Sequence, residues 1–517
     1  MARSTAAIGV LLALVAAVVW QSSAGALTWL HHNTFAPSTF PAILAKFPSC
    51  SSHSPASHGG HRIDYVRVRP SPAEPREELA RDNDDDFGQL ASCEDLTEFG
   101  DQETSQIVIA TCDRSRHEWN TVMGQFKNPQ PKGSLWYLTP LADKPHAHNI
   151  KLVNWPRYSQ QPSDAVLTDN KGAKWATGSG GRGGNIDKDF HPLGLRFIQD
   201  GSRLFVINHE RLYSSVEVFQ LSTTTPGLPL TARYLMTIKH SSFNAPNAIQ
   251  PVSSNSFYLS HDHKYNKRST RLIDNLLNFY ETIFAKPWSR VDFVTFDDPP
   301  ASTTDAHKDV EVLATNVRSN TVATGIGFAN GIAYSPSDKL FAVSSSTHRT
   351  VHVYDVNPIN STLSNKINVA VPFLPDNLSL APKQFVNQQK RAGPTFIATG
   401  HPAYLPMLLE ALNVSTPDWF PQAGSWTVSM TKLDGDQYDD DETTDDDVAY
   451  TSGRAKKTRG WKLSTLFASK GGYKHDKKSF GTSSTAVVGV SKTDAGEQRW
   501  MVVSGLYEKG LQLIRQV

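Results

Sequence analysis

Asparagine recurs at the start of successive predicted strands, and its side-chain oxygen is a good ligand for a hard cation. Asn247, Asn330 and Asn377 each open a short strand pattern. If these strand starts meet in the fold, three amides are buried together, and each unpartnered polar group costs about 1–3 kcal/mol. Ca²⁺ takes about 6–8 oxygen ligands and accepts amides beside carboxylates, here Asp376 and Glu94. The pattern predicts a calcium site; the alternative is that each Asn caps a turn before its strand.

The strands that would position these residues repeat along the chain. Alternating apolar residues in 195–208 and 331–345, each interrupted by a turn sequence, are typical of paired, half-buried strands. Four segments begin alike, at 193–195, 247–249, 330–332 and 377–379, and each leads to a second strand. A unit of roughly 45–50 residues made of short strands has the size of a propeller blade. We therefore predict an all-β propeller; a β-sandwich is the competing fold, but it does not explain a residue type recurring at one position.

One helix is predicted inside this β pattern, at 271–284, within an insertion near 268–286 that separates the second and third repeats. Ile273, Leu276, Leu277 and Tyr280 fall on one face of that helix. Such a face either covers the propeller or contacts another surface.

Composition and the N-terminal residues indicate an exported globular protein. The 517 residues are 39% apolar and 20% charged, with a formal net charge of +1, which gives no general attraction to nucleic acid. Residues 1–26 are predicted to be a signal peptide, because Arg3 precedes an uncharged run and small residues lead to a cleavage site after Ala26. A retained anchor is the alternative. We expect a protein that is secreted or lies in the lumen of the secretory pathway.

The remaining segments are assigned by composition. Residues 27–90 are predicted to be a low-complexity leader or linker and 91–517 the propeller, with a solvated acidic loop at 434–459. Export permits disulfides. Cys93 and Cys112 flank two predicted strands and are the favoured pair, which leaves Cys50 over, although the absence of any disulfide is the alternative. Asn360 and Asn413 begin glycosylation motifs, which predicts a glycoprotein.

A set of short motifs, in a fixed order, resembles the serum paraoxonase/arylesterase family of six-bladed propellers. The motifs are EDL at 94–96, VINHERLYSSVEVFQL at 206–221, HDH at 261–263, FANGI at 328–332, DNLS at 376–379, GHP at 400–402 and GLYEKGLQL at 505–513. Each motif alone is weak, but the ordered set is specific.

The resemblance implies a six-bladed propeller with one inserted helical segment and a catalytic Ca²⁺. The family's ligand positions match Glu94, Asn247, Asn330, Asp376 and Asn377. The cation would polarise an ester or lactone carbonyl and stabilise the oxyanion that forms on attack.

Further roles follow from the resemblance. His209 matches one of two histidines that activate water in the family, and Asp262 matches a carboxylate close behind. The segment 271–284 would form an active-site wall or contact a lipid surface.

Three positions depart from the family pattern. Leu193 stands where the family has its other histidine, although His191, two residues earlier, would face the same side of a strand. Ala248 stands where a second, structural calcium needs an aspartate, although Asp95 is retained. The C-terminal cysteine of the family's long-range disulfide is absent, since 511–514 reads LQLI.

These observations predict a Ca²⁺-dependent hydrolase of lactones, aryl esters or both. Two alternatives stay open. Leu193 favours a non-catalytic, calcium-stabilised propeller that acts as a binding module. Related propellers of the strictosidine-synthase-like kind do other chemistry, and the retention of all five calcium positions argues against that assignment.

Overall fold

The computed structural model describes sixteen segments of the chain, and every structural statement refers to these residues. They are 56–58, 61–72, 89–99, 107–120, 133–142, 145–158, 186–210, 213–222, 229–266, 272–300, 310–386, 392–414, 423–433, 460–470, 479–493 and 496–516. The predicted signal peptide, Cys50 and the acidic loop at 434–459 lie outside them, as does most of the predicted leader.

The described segments are dominated by short strands. The strands are β1 Ala56–His58, β2 His61–Pro70, β3 Cys93–Phe99, β4 Ile107–Asp113, β5 Gly133–Leu138, β6 His146–Asn149, β7 Lys151–Val153, β8 Arg157–Tyr158, β9 Ile186–Asp187, β10 Pro192–Ile198, β11 Arg203–His209, β12 Ser214–Leu221, β13 Thr231–Ile238, β14 Pro246–Ser253, β15 Ser256–His261, β16 Ser289–Asp297, β17 Thr315–Ile326, β18 Ala329–Ser335, β19 Leu340–Ser345, β20 Thr350–Val356, β21 Leu363–Ala370, β22 Leu374–Leu380, β23 Ala392–His401, β24 Ser425–Leu433, β25 Trp461–Ser469, β26 Ser483–Thr493, β27 Gly496–Gly505 and β28 Leu511–Gln516. Two α-helices are present in the described segments, α1 Leu272–Ile283 and α2 Tyr404–Ala411. The all-β prediction and the predicted helix are therefore confirmed, whereas α2 was not predicted.

The strands form antiparallel sheets in chain order, which gives a propeller-like arrangement. Three sheets have four strands each, β14 to β17, β18 to β21 and β22 to β25. A fourth has β10 to β13, extended by β7 alongside β13, and a two-stranded sheet joins β8 and β9. The remaining sheet has nine strands, with β26, β27, β28, β2, β6, β5, β4 and β3 in this order and β1 paired to β2.

The first strands of the successive units contact one another in a closed ring. The contacts run from β3 to β10, β14, β18, β22 and β26, and from β26 back to β3. The apolar core lies between neighbouring sheets. One cluster, for example, packs Val353 of β20 and Phe396 of β23 with Trp426 and Trp461. The residues at the starts of the inner strands therefore line the middle of the ring.

Every inner strand has a β-bulge near its start, after the first residue in five strands and after the second residue in β22. Two residues of the inner strand oppose one residue of the second strand, and these pairs are 94–95, 193–194, 247–248, 330–331, 376–377 and 484–485. A bulge interrupts the ladder and redirects a side chain. The six bulges therefore place six pairs of residues where the inner strands converge.

This register corrects the predicted repeat at one position. Asp376, and not Asn377, is equivalent to Asn247 and Asn330, because 376 is the first residue of its bulge. Asn377 is equivalent to Gly331. The alignment by residue type was one position off because it matched asparagine with asparagine, whereas the first bulge residue of β22 is an aspartate.

The sheet that closes the ring also corrects the predicted boundary at residue 91. Residues 61–70 were assigned to a leader, yet they form β2 and pair with β28, with Val66 opposite Leu513 and Val68 opposite Leu511. Val68, Leu511 and Leu513 are fully buried or nearly so. Strand pairing thus joins the two ends of the described chain, where the family uses a long-range disulfide.

Two smaller findings complete the fold. Cys93 and Cys112 are opposite residues on β3 and β4 and form a disulfide, with Cα atoms 3.8 Å apart, as predicted. Within the described segments, neither helix has the length and apolar character needed to cross a membrane.

Candidate active site

A cavity that opens to solvent lies where the bulges converge. Its polar wall contains Glu94, Asn247, Asn330, Asp376, His191, His209, Asp262 and Asp113. Its apolar wall contains Trp119, Leu193, Phe328, Leu374, Tyr404, Met407, Leu506 and Tyr507. The structure therefore brings four of the five predicted metal ligands to one cavity, together with both predicted catalytic residues. A concave site with an apolar wall and a few converging polar groups is typical of small-molecule binding.

The predicted ligands carry buried oxygen atoms that lack hydrogen-bond partners within the part of the chain that the structure describes. These atoms are Oε2 of Glu94 and the Oδ1 atoms of Asn247, Asn330 and Asn377. The four residues are at most 7% exposed. An unsatisfied buried acceptor costs about 1–3 kcal/mol, so a set of four such oxygens fits a cation that takes oxygen ligands.

Hydrogen bonds that the amide nitrogens of Asn247 and Asn377 donate fix which way their oxygens face. Nδ2 of Asn377 donates to Oε1 of Glu94 over 2.8 Å and to Oγ1 of Thr485 over 2.9 Å. Nδ2 of Asn247 donates to Oδ2 of Asp262 over 3.3 Å. Since each of these nitrogens is engaged, the amide oxygen is left as the free acceptor. Asp262 thus orients Asn247.

The electrostatics of the cavity also favour a cation. Burial, followed by the neighbouring carboxylates Asp95 and Asp376, raises the pKa of Glu94 well above its usual range. A positive ion between these oxygens would remove that penalty. The carboxylates alone do not suffice, because among the described residues no three of His, Cys, Asp or Glu are grouped so as to hold a metal ion. The amide oxygens would have to complete the coordination, as Ca²⁺ allows.

Asp95 is in a different situation, since its carboxylate is bonded by the protein itself. Oδ1 accepts from the Leu96 backbone N–H and from Oγ1 of Thr485, and Oδ2 accepts from the Leu195 backbone N–H. Ala248 is the second residue of the β14 bulge, at the position where a second calcium would need an aspartate, and its side chain has no oxygen. The residues present do not fit a second ion at Asp95.

His209, the predicted water-activating residue, is buried at the end of β11. Its Nε2 lies 2.7 Å from the carbonyl oxygen of Pro246. A carbonyl only accepts, so Nε2 carries the proton. The Asp262 carboxylate, predicted to lie behind His209, makes its hydrogen bonds to Asn247 and to Nδ1 of His263.

Several cavity residues were missed by the sequence analysis. His401 binds Asp376, with Nε2 3.1 Å from Oδ2. Asp113 binds His191, with Oδ2 2.9 Å from Nδ1. Tyr404 and Met407 enter from α2, which packs against Leu374. The sequence analysis missed most of these residues because the contacts join positions far apart in the chain. The sequence offered a signal only for His191, which lies two residues before Leu193, where the family has a histidine.

Gly331 makes the approach of two inner strands possible. A Cβ atom at this position would lie 2.3 Å from Cα of Asn377 and 2.5 Å from the backbone nitrogen of Leu378. We expect Gly331→Ala to push β18 away from β22, lowering the free energy of unfolding by about 1–3 kcal/mol and weakening calcium binding.

Denaturant unfolding and calcium titration check this expectation. Gly393→Ala is the matched control, because its nearest neighbour, Cβ of Lys432 at 3.1 Å, has to shift by only a few tenths of an ångström. Unchanged calcium affinity in the Gly331 variant would show that the spacing of the two strands does not set the site.

The fold and the cavity define a class of propeller-like protein with an oxygen-rich site on its axis, and comparison with known proteins narrows this class. Residues 170–419 match the family model described as Arylesterase. The chain is 28% identical over 203 residues to human serum paraoxonase/lactonase 3, covering 38% of this chain and 48% of the relative. It is 29% identical over 204 residues to dog serum paraoxonase/arylesterase 2, covering 39% and 48%. The chain thus spans about half the length of the curated relatives it matches. These matches confirm the resemblance to the serum paraoxonase/arylesterase family.

Among solved structures, a gluconolactonase from Xanthomonas campestris aligns with 10% identity and a TM-score of 0.38, over 91% of this chain and 97% of that structure.

Proposed function

We propose that this protein is a Ca²⁺-dependent hydrolase of lactones or aryl esters. The observation that carries the proposal is the set of four buried, partnerless oxygens, which belong to four of the five residues predicted as ligands. Asp376 lines the same cavity and supplies a second carboxylate. The family match over 170–419 supports the hydrolase class.

The proposal includes a six-bladed architecture. The nine-stranded sheet contains two antiparallel four-stranded units, β3 to β6 and β26 to β28 with β2. They meet through a short parallel contact, Arg69 opposite His146 and Pro70 opposite Ala147. Counted as two blades, they bring the total to six, in accord with six inner strands and six bulges.

Each part of the cavity has a role in this function. Glu94, Asn247, Asn330, Asp376 and Asn377 would hold the ion. When bound there, Ca²⁺ would polarise the ester carbonyl and stabilise the negative charge that develops on its oxygen. The apolar wall, with Trp119, Phe328 and Tyr404 among its residues, would hold the acyl or aryl part of the substrate and exclude water around it. His209, with Asp262 near Asn247, would help to position the attacking water.

Hydrolysis of a phenyl ester and of an aliphatic lactone, measured with calcium and then with chelator, tests the proposal. We expect turnover with calcium, loss of turnover with chelator and recovery when calcium is restored. The melting temperature, recorded under the same conditions, is the control for folding. The proposal would be contradicted if the protein showed no turnover and no calcium-dependent rise in melting temperature.

A second candidate function is a non-catalytic, calcium-stabilised binding module. Leu193 favours it, because an apolar residue stands where the family has a histidine. Stabilisation by calcium without turnover of either substrate would support this candidate. The strictosidine-synthase-like alternative has no comparable support, because the buried oxygens match the calcium positions.

Contact with a lipid surface through α1 is also a proposal. The polar residues of α1 face the protein: Glu281 accepts from the backbone N–H groups of Lys264 and Tyr265, and Asn278 donates to the carbonyl of Tyr265. The apolar residues face outward, and Leu276 is 55% exposed. A helix with its apolar face outward suits a membrane interface. Export and glycosylation remain proposals, and Asn360 and Asn413 are both exposed.

A further inference from the structure

His191 directly precedes β10, and the register of β10 with β11 places it opposite His209, the last residue of β11. Pro192 pairs with Asn208, and the backbone N–H of His209 donates to the carbonyl of His191 over 3.0 Å. Opposite residues of an antiparallel pair have their side chains on the same face, with Cβ atoms about 4.5–5.5 Å apart. Both side chains line the cavity. The site therefore has a pair of histidines, although not the pair implied by the resemblance.

Hydrogen bonding fixes the proton of His191 on one nitrogen. Nδ1 lies 2.9 Å from Oδ2 of Asp113, whose Oδ1 accepts from the backbone N–H and the hydroxyl of Ser115 over 2.9 and 2.6 Å. Burial opposes ionisation of Asp113, but His191, Arg116 and the Ser115 hydrogen bond outweigh it and lower the pKa of this carboxyl. An ionised carboxylate accepts, so Nδ1 of His191 donates. The lone pair of the neutral ring is then on Nε2.

The second nitrogen, Nε2 of His191, is buried and has no hydrogen-bond partner among the residues that the structure describes. The side chain is 3% exposed and stacks on Trp119, with ring centroids 5.6 Å apart and an angle of 29° between the planes. The ring is therefore held in place with a proton acceptor available in the cavity. In His209, by contrast, Nε2 already donates to the carbonyl of Pro246.

We propose that His191 is the general base of this site, that Asp113 is its positioning residue, and that the pair replaces the family histidine absent at Leu193. This inference rests on the proposed hydrolase function. Nε2 of His191 takes a proton from water as the water oxygen bonds to the carbonyl carbon. The imidazolium then returns that proton to the leaving oxygen as the ester C–O bond breaks. The products are a carboxylic acid and an alcohol or, from a lactone, one hydroxy acid.

The surroundings of Leu193 explain why the proton acceptor lies two residues upstream. Leu193 packs in an apolar cluster with Phe205 and Ile207. Ile207 is the single residue opposite its bulge, whereas the five other bulges face Thr111, Ser260, Ser344, Thr399 and Ser504. The bulge of β10 is therefore apolar on both strands. The polar side chains that this sheet presents to the cavity are His191, directly before β10, and His209 beside it.

Kinetics of His191→Ala and His209→Ala, measured on the full chain with phenyl acetate and saturating calcium, test the inference. General acid–base catalysis contributes about 10²- to 10⁴-fold, so we expect kcat of the His191 variant to fall by that factor with little change in KM. Added imidazole should restore part of the lost rate in this variant only, because the deleted ring leaves space for it. The calcium-induced rise in melting temperature should match that of the unmodified protein, which shows that the fold is intact.

Asp113→Asn tests the positioning role. We expect kcat to fall about tenfold or more in the unmodified background and to change little when His191 is already alanine, because residues that act as a unit are not additive. A merely structural aspartate would lower kcat equally in both backgrounds. His191→Gln provides a second variant that keeps the bulk of the side chain if alanine prevents folding.

The outcomes separate the inference from the function on which it rests. Turnover by the unmodified protein, together with near-normal kcat in both His191 variants or imidazole rescue only at His209, would overturn the role of His191 and leave the hydrolase intact. Absence of turnover in the unmodified protein would overturn both.

Discussion

Asn330→Ala is expected to abolish calcium binding and ester hydrolysis without destabilising the calcium-free protein. Its Oδ1 is one of the four buried oxygens without a partner, at the first position of the β18 bulge. Loss of a residue that only supports a ligand costs about 10- to 100-fold in metal affinity, and loss of a ligand should cost at least that. Removing an unsatisfied buried acceptor also removes a penalty, so the calcium-free variant should be as stable as the unmodified protein or more so.

Calcium titration calorimetry and melting temperatures with calcium and with chelator measure both parts of this expectation. Asn320→Ala is the control, because Asn320 is an exposed residue of the outer strand β17. A calcium-induced rise in melting temperature that persists in the Asn330 variant would place the ion elsewhere. Full hydrolysis by a metal-free Asn330 variant would contradict the proposed mechanism.

Lys188→Met is expected to give the largest loss of stability, about 3–5 kcal/mol in the free energy of unfolding. The Lys188 ammonium is completely buried, and three carboxylates surround it. Its Nζ lies 2.7 Å from Glu217, 2.8 Å from Glu311 and 3.3 Å from Glu210. Methionine has a similar length but no charge, so the carboxylates would be left to repel one another. Lys188 also anchors the segment that leads to His191, so hydrolysis should fall as well.

The pH dependence of unfolding distinguishes this mechanism from a simple loss of packing. Even beside the lysine, burial raises the pKa of Glu210 to about 7, against 4.5 for an ordinary glutamate. The folded state therefore favours the protonated form, and this contribution to stability is complete below about pH 4.5 and lost as the pH rises through 7.

Without the ammonium the carboxyl pKa values should rise further. The stability deficit of the Lys188 variant should then be largest at alkaline pH and shrink as the pH is lowered. Denaturant unfolding between pH 5 and 9 measures it, with Lys383→Met, an exposed lysine, as the control. A deficit that does not change with pH would show that the charges are not its cause.

Much of the site could be predicted because equivalent positions of the repeated strands lie close together in the fold. Asparagines at equivalent strand starts indicated convergence on an axis, and the structure brings Asn247 and Asn330 together in one cavity. The error at Asn377 was one residue, because the alignment matched asparagine with asparagine, whereas the equivalent residue of β22 is Asp376. The pairing of His191 with Asp113 could not be predicted, since it joins residues 78 positions apart.

The missed strand β2 shows a different limit of sequence reasoning. Tyr65, Val66 and Val68 carry a strand pattern, but polar and proline-rich residues surround it. Its partner β28 is hundreds of residues away. A strand whose burial depends entirely on a distant partner has little local signal. The same holds for α2, whose apolar residues become a wall of the cavity only because β22 lies beneath them.

The pairing of β2 with β28 also bears on how the chain acquires its fold. Arg67 of β2 bonds to the backbone carbonyls of Lys509 and Ser479 and to the carboxylate of Glu508, contacts that span more than four hundred residues. During synthesis, the edge of β2 that pairs with β28 stays unpaired until residues 511–516 have been made. Contacts of such sequence separation form slowly, and waiting strand edges invite pairing with other chains. Ring closure is therefore the step at which refolding should be slowest and most sensitive to protein concentration.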